Sequence, residues 1–227
     1  MPLAALSLKL FGSESMLRIT EIFNSLQGES KSAGRPTVFV RLTGCPLRCE
    51  YCDTSYAFSG GEQRTLDDIL SEVKSYNPRY ITVTGGEPLA QPECTTLLTL
   101  FCDLGLSVSL ETSGALDISQ VDKRVSIVMD LKTPGSKEVS RNLYANIPLL
   151  KAEDQIKFVI CDREDYNWSV FKLREYNLDQ RVDEVLFSPS AEELEPTSLA
   201  DWIVKDNLPV RFQYQMHKML WGDKPGV

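Results

Sequence analysis

Short runs of β-branched and aromatic residues alternate with amphipathic stretches along most of this chain. The first run, Thr-Val-Phe-Val-Arg-Leu at 37–42, ends at Gly44. Further strand-like runs fall at 80–84, 106–110, 125–129, 156–160, 185–187 and 210–214. Between them the spacing predicts helices over 65–76, 93–104, 164–176 and 198–205. The first helix opens on Thr65 with Asp68 three residues on, a capping-box-like start, and stops before Pro78. The second stops at Gly105. Strands separated by helices of this size make βαβ units, hence an α/β fold with mostly parallel strands. No repeat, linker or low-complexity tract breaks the pattern, so residues 17–227 are expected to form one domain, a partial (β/α) barrel. Residues 1–16 read as a loose extension without the basic start of a secretory signal, and Met16 is a candidate translation start.

In parallel sheets, functional groups gather beyond the carboxyl ends of the strands. Here those ends carry Gly44-Cys45, Gly85-Gly86-Glu87, Glu111-Thr112-Ser113-Gly114, Asp130-Leu131-Lys132 and Ser188-Pro189-Ser190, the polar and glycine-rich positions of the chain.

Composition narrows the chemistry. Over 227 residues, 24 Lys and Arg stand against 32 Asp and Glu, a net charge of −8, which argues against a nucleic-acid-binding surface. A hydrophobic fraction of 42% suits an ordinary packed core, and no apolar run approaches the roughly 20 residues of a membrane span. Six cysteines face a single histidine, His217, which excludes a multi-histidine metal site and leaves one imidazole for any Ser-His or Cys-His catalysis. Cys45, Cys49 and Cys52 crowd together, whereas Cys94, Cys102 and Cys161 are scattered and read as buried thiols. In the reducing cytosol, the expected compartment, clustered cysteines signal metal or redox chemistry rather than disulfides. Three thiolates on a short loop hold three corners of an iron–sulfur cubane and leave the fourth iron open to a small molecule. Zinc, completed by His217 or a distant cysteine, is the alternative.

The spacing Cys45-x3-Cys49-x2-Cys52, with aromatic Tyr51 before the last cysteine, resembles the radical S-adenosylmethionine (SAM) superfamily, whose fold is also a partial (β/α) barrel. The resemblance implies a 4Fe–4S cluster whose open iron chelates SAM, and one-electron cleavage of SAM to methionine and a 5′-deoxyadenosyl radical. Tyr51 would then lie against the adenine. Thr84-Gly85-Gly86-Glu87-Pro88 looks like that superfamily's GGEP segment, where paired glycines let backbone approach a ligand and Glu87 stabilises the SAM ammonium.

The flanking residues narrow the resemblance. Leu26-Gln27-Gly28-Glu29, the run from Phe39 to Cys45, Cys52-Asp53-Thr54 and Glu111-Thr112-Ser113-Gly114 together resemble the 7-carboxy-7-deazaguanine synthase family, from about Leu17 to Gln215-Met216-His217-Lys218. That family converts 6-carboxy-5,6,7,8-tetrahydropterin into 7-carboxy-7-deazaguanine with loss of ammonia, on the route to queuosine and other 7-deazapurines. The resemblance implies a lyase in which hydrogen leaves C6 of the pterin, the ring contracts, and SAM is regenerated as a catalytic cofactor. It also implies a homodimer, an external electron donor such as flavodoxin or ferredoxin, and no nucleic-acid or membrane partner.

By the same resemblance, Leu26, Gln27, Gly28, Arg41, Thr84 and His217 meet the substrate, and Thr54 contributes to a Mg²⁺ site completed by waters and substrate oxygens. Asp53, Gly86, Ser113, Asp130, Leu131, Lys132 and Ser188 are placed beside SAM with Tyr51 and Glu87. The residue chemistry agrees in part: Gln27 both donates and accepts, as the amide-like edge of a pterin requires, and the Arg41 fork suits a carboxylate. A structural salt bridge is the other reading of Arg41. Glu29 suits either the pterin N–H groups or a surface role, and His217 either substrate or packing. Two departures stand out: many members have Ser-Pro-Lys at 130–132 and Gln-Pro at 188–189, and this chain continues from Lys218 to Val227. A glycyl-radical-enzyme activase shares the cysteine spacing but has no need of Gln27 and Arg41.

Overall fold

The computed structural model describes residues 15–191, 193–222, 224 and 226, so the expected N-terminal extension lies almost wholly outside the described residues. Among these, nine strands form one sheet: β1 Met16–Leu26, β2 Pro36–Leu42, β3 Glu62–Thr65, β4 Tyr80–Gly85, β5 Ser107–Thr112, β6 Ser126–Asp130, β7 Gln155–Ile160, β8 Glu184–Pro189 and β9 Arg211–Phe212. They lie in the order β3-β1-β2-β4-β5-β6-β7-β8-β9. From β2 to β9 every pairing is parallel, while β1 runs antiparallel to both β2 and β3.

The expected alternation of strand and helix is present, with one correction at its start. Met16 is not part of a loose extension but opens an eleven-residue strand that precedes the run taken as the first. Only Leu17 and Ile19 of this strand are buried, and its later residues sit half-exposed, so no sustained two-residue alternation marks it. The strand Glu62–Thr65 was likewise not foreseen, because its four polar residues carry no apolar signal.

The helices are α1 Leu66–Ser75, α2 Cys94–Asp103, α3 Arg163–Glu175, α4 Leu178–Arg181, α5 Pro196–Asp206 and α6 Met216–Trp221. Thr65 caps α1 by accepting from the Asp68 N–H at 3.1 Å, and Leu66, Ile69, Leu70 and Val73 form its buried stripe. That stripe packs with α2 against β1, β2, β4 and β5, as one core cluster. Helices α3 to α5 pack a second cluster on β6, β7 and β8, and Leu89 and Val121 touch both. None of the described helices is long and apolar enough to cross a membrane.

The turn between β1 and β2 reaches across the sheet to its other end. Ser30 N–H donates to Gln213 Oε1 and Lys31 N–H to Gln155 Oε1, each at 2.7 Å, and Met216 N–H donates to the Gly28 carbonyl at 3.0 Å. Contacts between the two ends require a curved sheet, which is the open, partial barrel the pattern predicted. Its concave side faces the strand ends described next.

Candidate active site

The loop after β2 carries the three clustered cysteines and is fixed at several points. Gly44 N–H donates to the Ala57 carbonyl and Glu87 N–H to the Gly44 carbonyl, both at 2.8 Å, and Glu50 N–H reaches the Ser136 carbonyl at 3.2 Å. A Cβ on Gly86 would stand 2.3 Å from the Gly44 oxygen and 2.7 Å from Cys45 Cβ, so only glycine allows this approach to the loop. Cys45, Cys49 and Cys52 are free thiols that line a cleft of about 330 Å³. Burial pushes Cys45 and Cys52 above the ordinary thiol value and Cys49 up to about 11. The other three cysteines are buried in the core, as expected.

Tyr51, Gly86, Ser113, Asp130, Lys132 and Ser188 line the same cleft. Lys132 is almost fully buried, and its ammonium donates to Asp130 Oδ2 at 3.0 Å and lies 5.9 Å from the Tyr51 ring. Burial opposes that ammonium, but Asp130, Tyr51 and Cys49 around it hold its pKa well above the ordinary lysine value. Asn142 clasps the Lys132 peptide from both sides, accepting its N–H and donating to its C=O at 2.8 Å each. The Tyr51 hydroxyl and Asp130 Oδ1 are buried without a partner within the protein. Such groups are expensive to leave unbonded, so they mark where a polar ligand sits. The donor set fits an iron–sulfur cluster with a polar small molecule beside it.

Two residues placed beside SAM by the resemblance do not line this cleft. Leu131 is fully buried in the second core cluster. Glu87 is also fully buried, and its carboxylate accepts from Leu89 N–H at 3.1 Å, Thr112 O–H at 2.9 Å, Ser113 N–H at 2.7 Å and the Ser113 hydroxyl. These bonds tie the Glu87 carboxylate to Ser113, which does line the cleft.

A second cavity of about 320 Å³ adjoins the first and is lined by Leu26, Gln27, Gly28, Arg41, Thr84 and His217, all six residues expected at the substrate. Phe23 and Phe39, stacked at 5.0 Å between ring centroids, give it a flat apolar wall. Gln27 donates to Thr82 Oγ1 and Glu111 Oε1, both at 3.2 Å. Gly28 is required by contact: a Cβ there would meet His217 Nδ1 at 2.2 Å. Burial holds the His217 imidazole below its ordinary pKa, which keeps it neutral at pH 7. Arg41 donates from Nε to Glu21 Oε1 at 2.7 Å, so the salt-bridge reading is realised at a residue that also lines the cavity. Gly222, Lys224 and Gly226 line it too, so part of the C-terminal continuation borders this space.

The two cavities share Glu29, Asp53, Thr54, Thr84, Gly85, Glu111, Lys157, Gln215 and Lys218. Lys157 projects from β7 and forms an ion pair with Glu29, which also accepts from Gln215 Nε2 at 2.7 Å and Gln213 Nε2 at 3.2 Å. Burial alone would raise the Glu29 carboxyl, but Lys157 and these hydrogen bonds hold it below the ordinary value. Glu111 is shifted the other way: burial, with the Glu29 charge nearby, raises its carboxyl, though Thr84 O–H donates to it at 2.9 Å. The seam thus holds two carboxylates whose surroundings push them in opposite directions. The Thr54 hydroxyl donates to Asp53 Oδ1 at 2.8 Å on the same seam.

Residues 39–183 match the model of the radical SAM superfamily. A 7-carboxy-7-deazaguanine synthase of Chlorobaculum tepidum is 41% identical to the chain over 95% of this chain and 99% of its own length. The chain belongs to the 7-carboxy-7-deazaguanine synthase family. A second relative of that name, from Thermoplasma acidophilum, is 37% identical over 92% of this chain and 99% of its own length. The crystal structure of QueE from Escherichia coli superposes with a TM-score of 0.72, covering 89% of this chain and 95% of its own, and at 22% identity it bears on the fold alone.

For a member of this synthase family, the sequence motifs account for both cavities but not for what joins them. Lys157, Glu21 and the partners of Glu29 were missed. A readable signal existed for Lys157: it interrupts the apolar run Gln155–Ile160 at a half-buried position between two fully buried ones, Ile156 and Phe158. A lone charge pointing inward from a barrel strand is not a solvated face. Glu111 is likewise half-buried between two buried residues, Leu110 and Thr112.

Proposed function

We propose that this protein converts 6-carboxy-5,6,7,8-tetrahydropterin into 7-carboxy-7-deazaguanine with loss of ammonia, as a radical SAM lyase of 7-deazapurine (queuosine) biosynthesis. The observation that carries the reading is the junction of the two cavities: one presents three free cysteines, the other an arginine, a glutamine and a flat aromatic wall. Cys45, Cys49 and Cys52 would hold a 4Fe–4S cluster, and Tyr51, Gly86, Ser113, Asp130, Lys132 and Ser188 would surround SAM. When bound, these groups supply one-electron chemistry able to remove a hydrogen atom from the substrate, with electrons from a flavodoxin- or ferredoxin-like donor.

The chain's own residues then bind and orient. The flat pyrimidinone ring of the tetrahydropterin lies along Phe23 and Phe39, Gln27 meets its amide-like edge, and Arg41 takes the carboxylate on C6. Glu29, kept ionised by Lys157, accepts from ring or amino N–H groups. Glu111 exchanges a proton with the substrate as ammonia departs, its raised pKa bringing it nearer to neutral pH. Neutral His217 orients substrate beside Gly28. Thr54 would supply one protein oxygen for Mg²⁺, beside the Asp53 carboxylate to which its hydroxyl donates, and waters and substrate would complete the coordination.

The test is anaerobic turnover of cluster-reconstituted protein with the carboxytetrahydropterin, SAM and reductant. Formation of 7-carboxy-7-deazaguanine is expected. A fully loaded protein that cleaves SAM but leaves this pterin unchanged refutes the substrate assignment.

A further inference from the structure

Arg41 does not reach the substrate cavity unaided. In the β1–β2 pairing, Ile19 stands opposite Leu42 and Glu21 opposite Arg41, so Thr20 is an extra residue on β1, a β-bulge. Thr20 Oγ1 and Thr43 Oγ1 are hydrogen-bonded at 2.7 Å, which pins the bulge to the residue after β2. Bulges re-aim side chains beside functional sites, and this one sets Glu21 against Arg41 with both lining the cavity.

The contact is specific in its atoms. Arg41 Nε–H donates to Glu21 Oε1 at 2.7 Å, and Tyr56 O–H donates to the same oxygen at 2.9 Å. The guanidinium lies 6.0 Å from the Phe23 ring and 5.9 Å from the Tyr56 ring, so aromatic faces flank it. The Arg41 and Glu21 side chains are 16% and 24% exposed, so the pair is sheltered from screening. Of the five N–H groups of Arg41, Glu21 takes the one nearest the backbone, and among the described residues no protein acceptor takes the terminal nitrogens.

We propose that Glu21, assisted by Tyr56, is a positioning residue that holds the Arg41 fork with its terminal N–H groups free for the substrate carboxylate, and so sets the preference for a carboxylated pterin. The proposal rests on the substrate reading above. Glu21 touches no reacting atom; its effect passes through the geometry of Arg41. Losing it frees a long side chain to sample rotamers that point away from the carboxylate, and affinity falls by the fraction that does so.

The experiment compares equilibrium binding of 6-carboxypterin with that of pterin, the same ring lacking the carboxyl, to reconstituted wild-type, Glu21→Ala, Glu21→Gln and Tyr56→Phe holoenzymes. Wild type is expected to prefer 6-carboxypterin. Glu21→Ala is expected to bind it about tenfold more weakly, ~1.4 kcal/mol, with pterin binding unchanged. Glu21→Gln, whose amide oxygen still accepts from Nε–H, should stay within about threefold of wild type, ~0.7 kcal/mol. Tyr56→Phe is expected to fall between wild type and Glu21→Ala. In turnover, Glu21→Ala should raise KM for the carboxytetrahydropterin with little change in kcat. Equal loss for both rings assigns Glu21 a structural role and overturns the proposal. Unchanged or tighter binding of 6-carboxypterin by Glu21→Ala makes it a bystander or a competitor, and also overturns it. Wild type that binds both rings equally overturns the substrate reading as well, which separates the two failures.

Discussion

Replacing Lys157 by methionine leaves the Glu29 carboxylate without its countercharge in a site where both side chains are only 14% exposed. Removing one partner of a sheltered ion pair costs ~3–5 kcal/mol, because a charge remains in a medium that solvates it poorly. Gln215 and Gln213 still donate to Glu29, which places the loss near the lower end. At ~2–4 °C per kcal/mol for a chain of this size, Lys157→Met should lower Tm by about 6–12 °C. The double variant Glu29→Gln/Lys157→Met, with no charge left to strand, should recover ~2 kcal/mol of that loss. The pH dependence has a definite sign. The folded-state pKa of Glu29 lies below the ordinary glutamate value of 4.5, so the pair's stabilisation is present above that value and is lost as pH falls through the folded pKa. In Lys157→Met the Glu29 pKa rises, so the variant's deficit should shrink between pH 7 and about pH 4.5 as the stranded carboxylate takes up a proton. Thermal melts of cluster-loaded protein under argon, at matched concentration and several pH values, read all three effects. Lys157→Met melting within ~1 °C of wild type, or a double variant no better than the worse single, would refute the buried-pair reasoning.

Other consequences concern the cleft walls and the seam. Gly86→Ala drives a Cβ into the Gly44 carbonyl and Cys45 Cβ, so reconstituted protein should hold markedly less iron per chain; full loading with wild-type activity contradicts this. Gly28→Ala displaces His217 and should raise KM for the pterin about tenfold while iron content stays at the wild-type level, as steady-state kinetics and iron analysis can check. Glu111→Gln should lower kcat by about 10²–10³ and remove the acidic limb of the kcat/KM profile, since the base form of Glu111 is lost as pH falls through its raised pKa. An unchanged limb would assign that titration to another group.

The parallel strands were legible because they are covered on both faces: Tyr80–Gly85 buries four of its six residues, and such runs read as continuous β-branched segments. The start of α1 was legible through its cap, Thr65. Strand Met16–Leu26 was not, because its inner face looks onto a polar cavity and its bulge at Thr20 breaks the alternation. The same reason separates the site residues found from those missed. Cys45, Cys49, Cys52 and Gly86 lie on loops whose local spacing or glycine content is itself the signal. Glu21, Lys157 and the partners of Glu29 act across 20 to 186 residues of chain, and nothing in local spacing encodes that meeting. Glu87 shows the converse: its motif singles it out in the sequence, while its burial and its bonds to Thr112 and Ser113 are visible only in the fold.

The central claim is that Cys45, Cys49 and Cys52 power chemistry on a pterin held beside Arg41 and Gln27. It is tested most directly by anaerobic turnover of 6-carboxy-5,6,7,8-tetrahydropterin with SAM and reductant, comparing wild type with Cys45→Ala after identical reconstitution and following product by mass spectrometry. Wild type should form 7-carboxy-7-deazaguanine while Cys45→Ala forms none; product from Cys45→Ala at the wild-type rate would contradict the account.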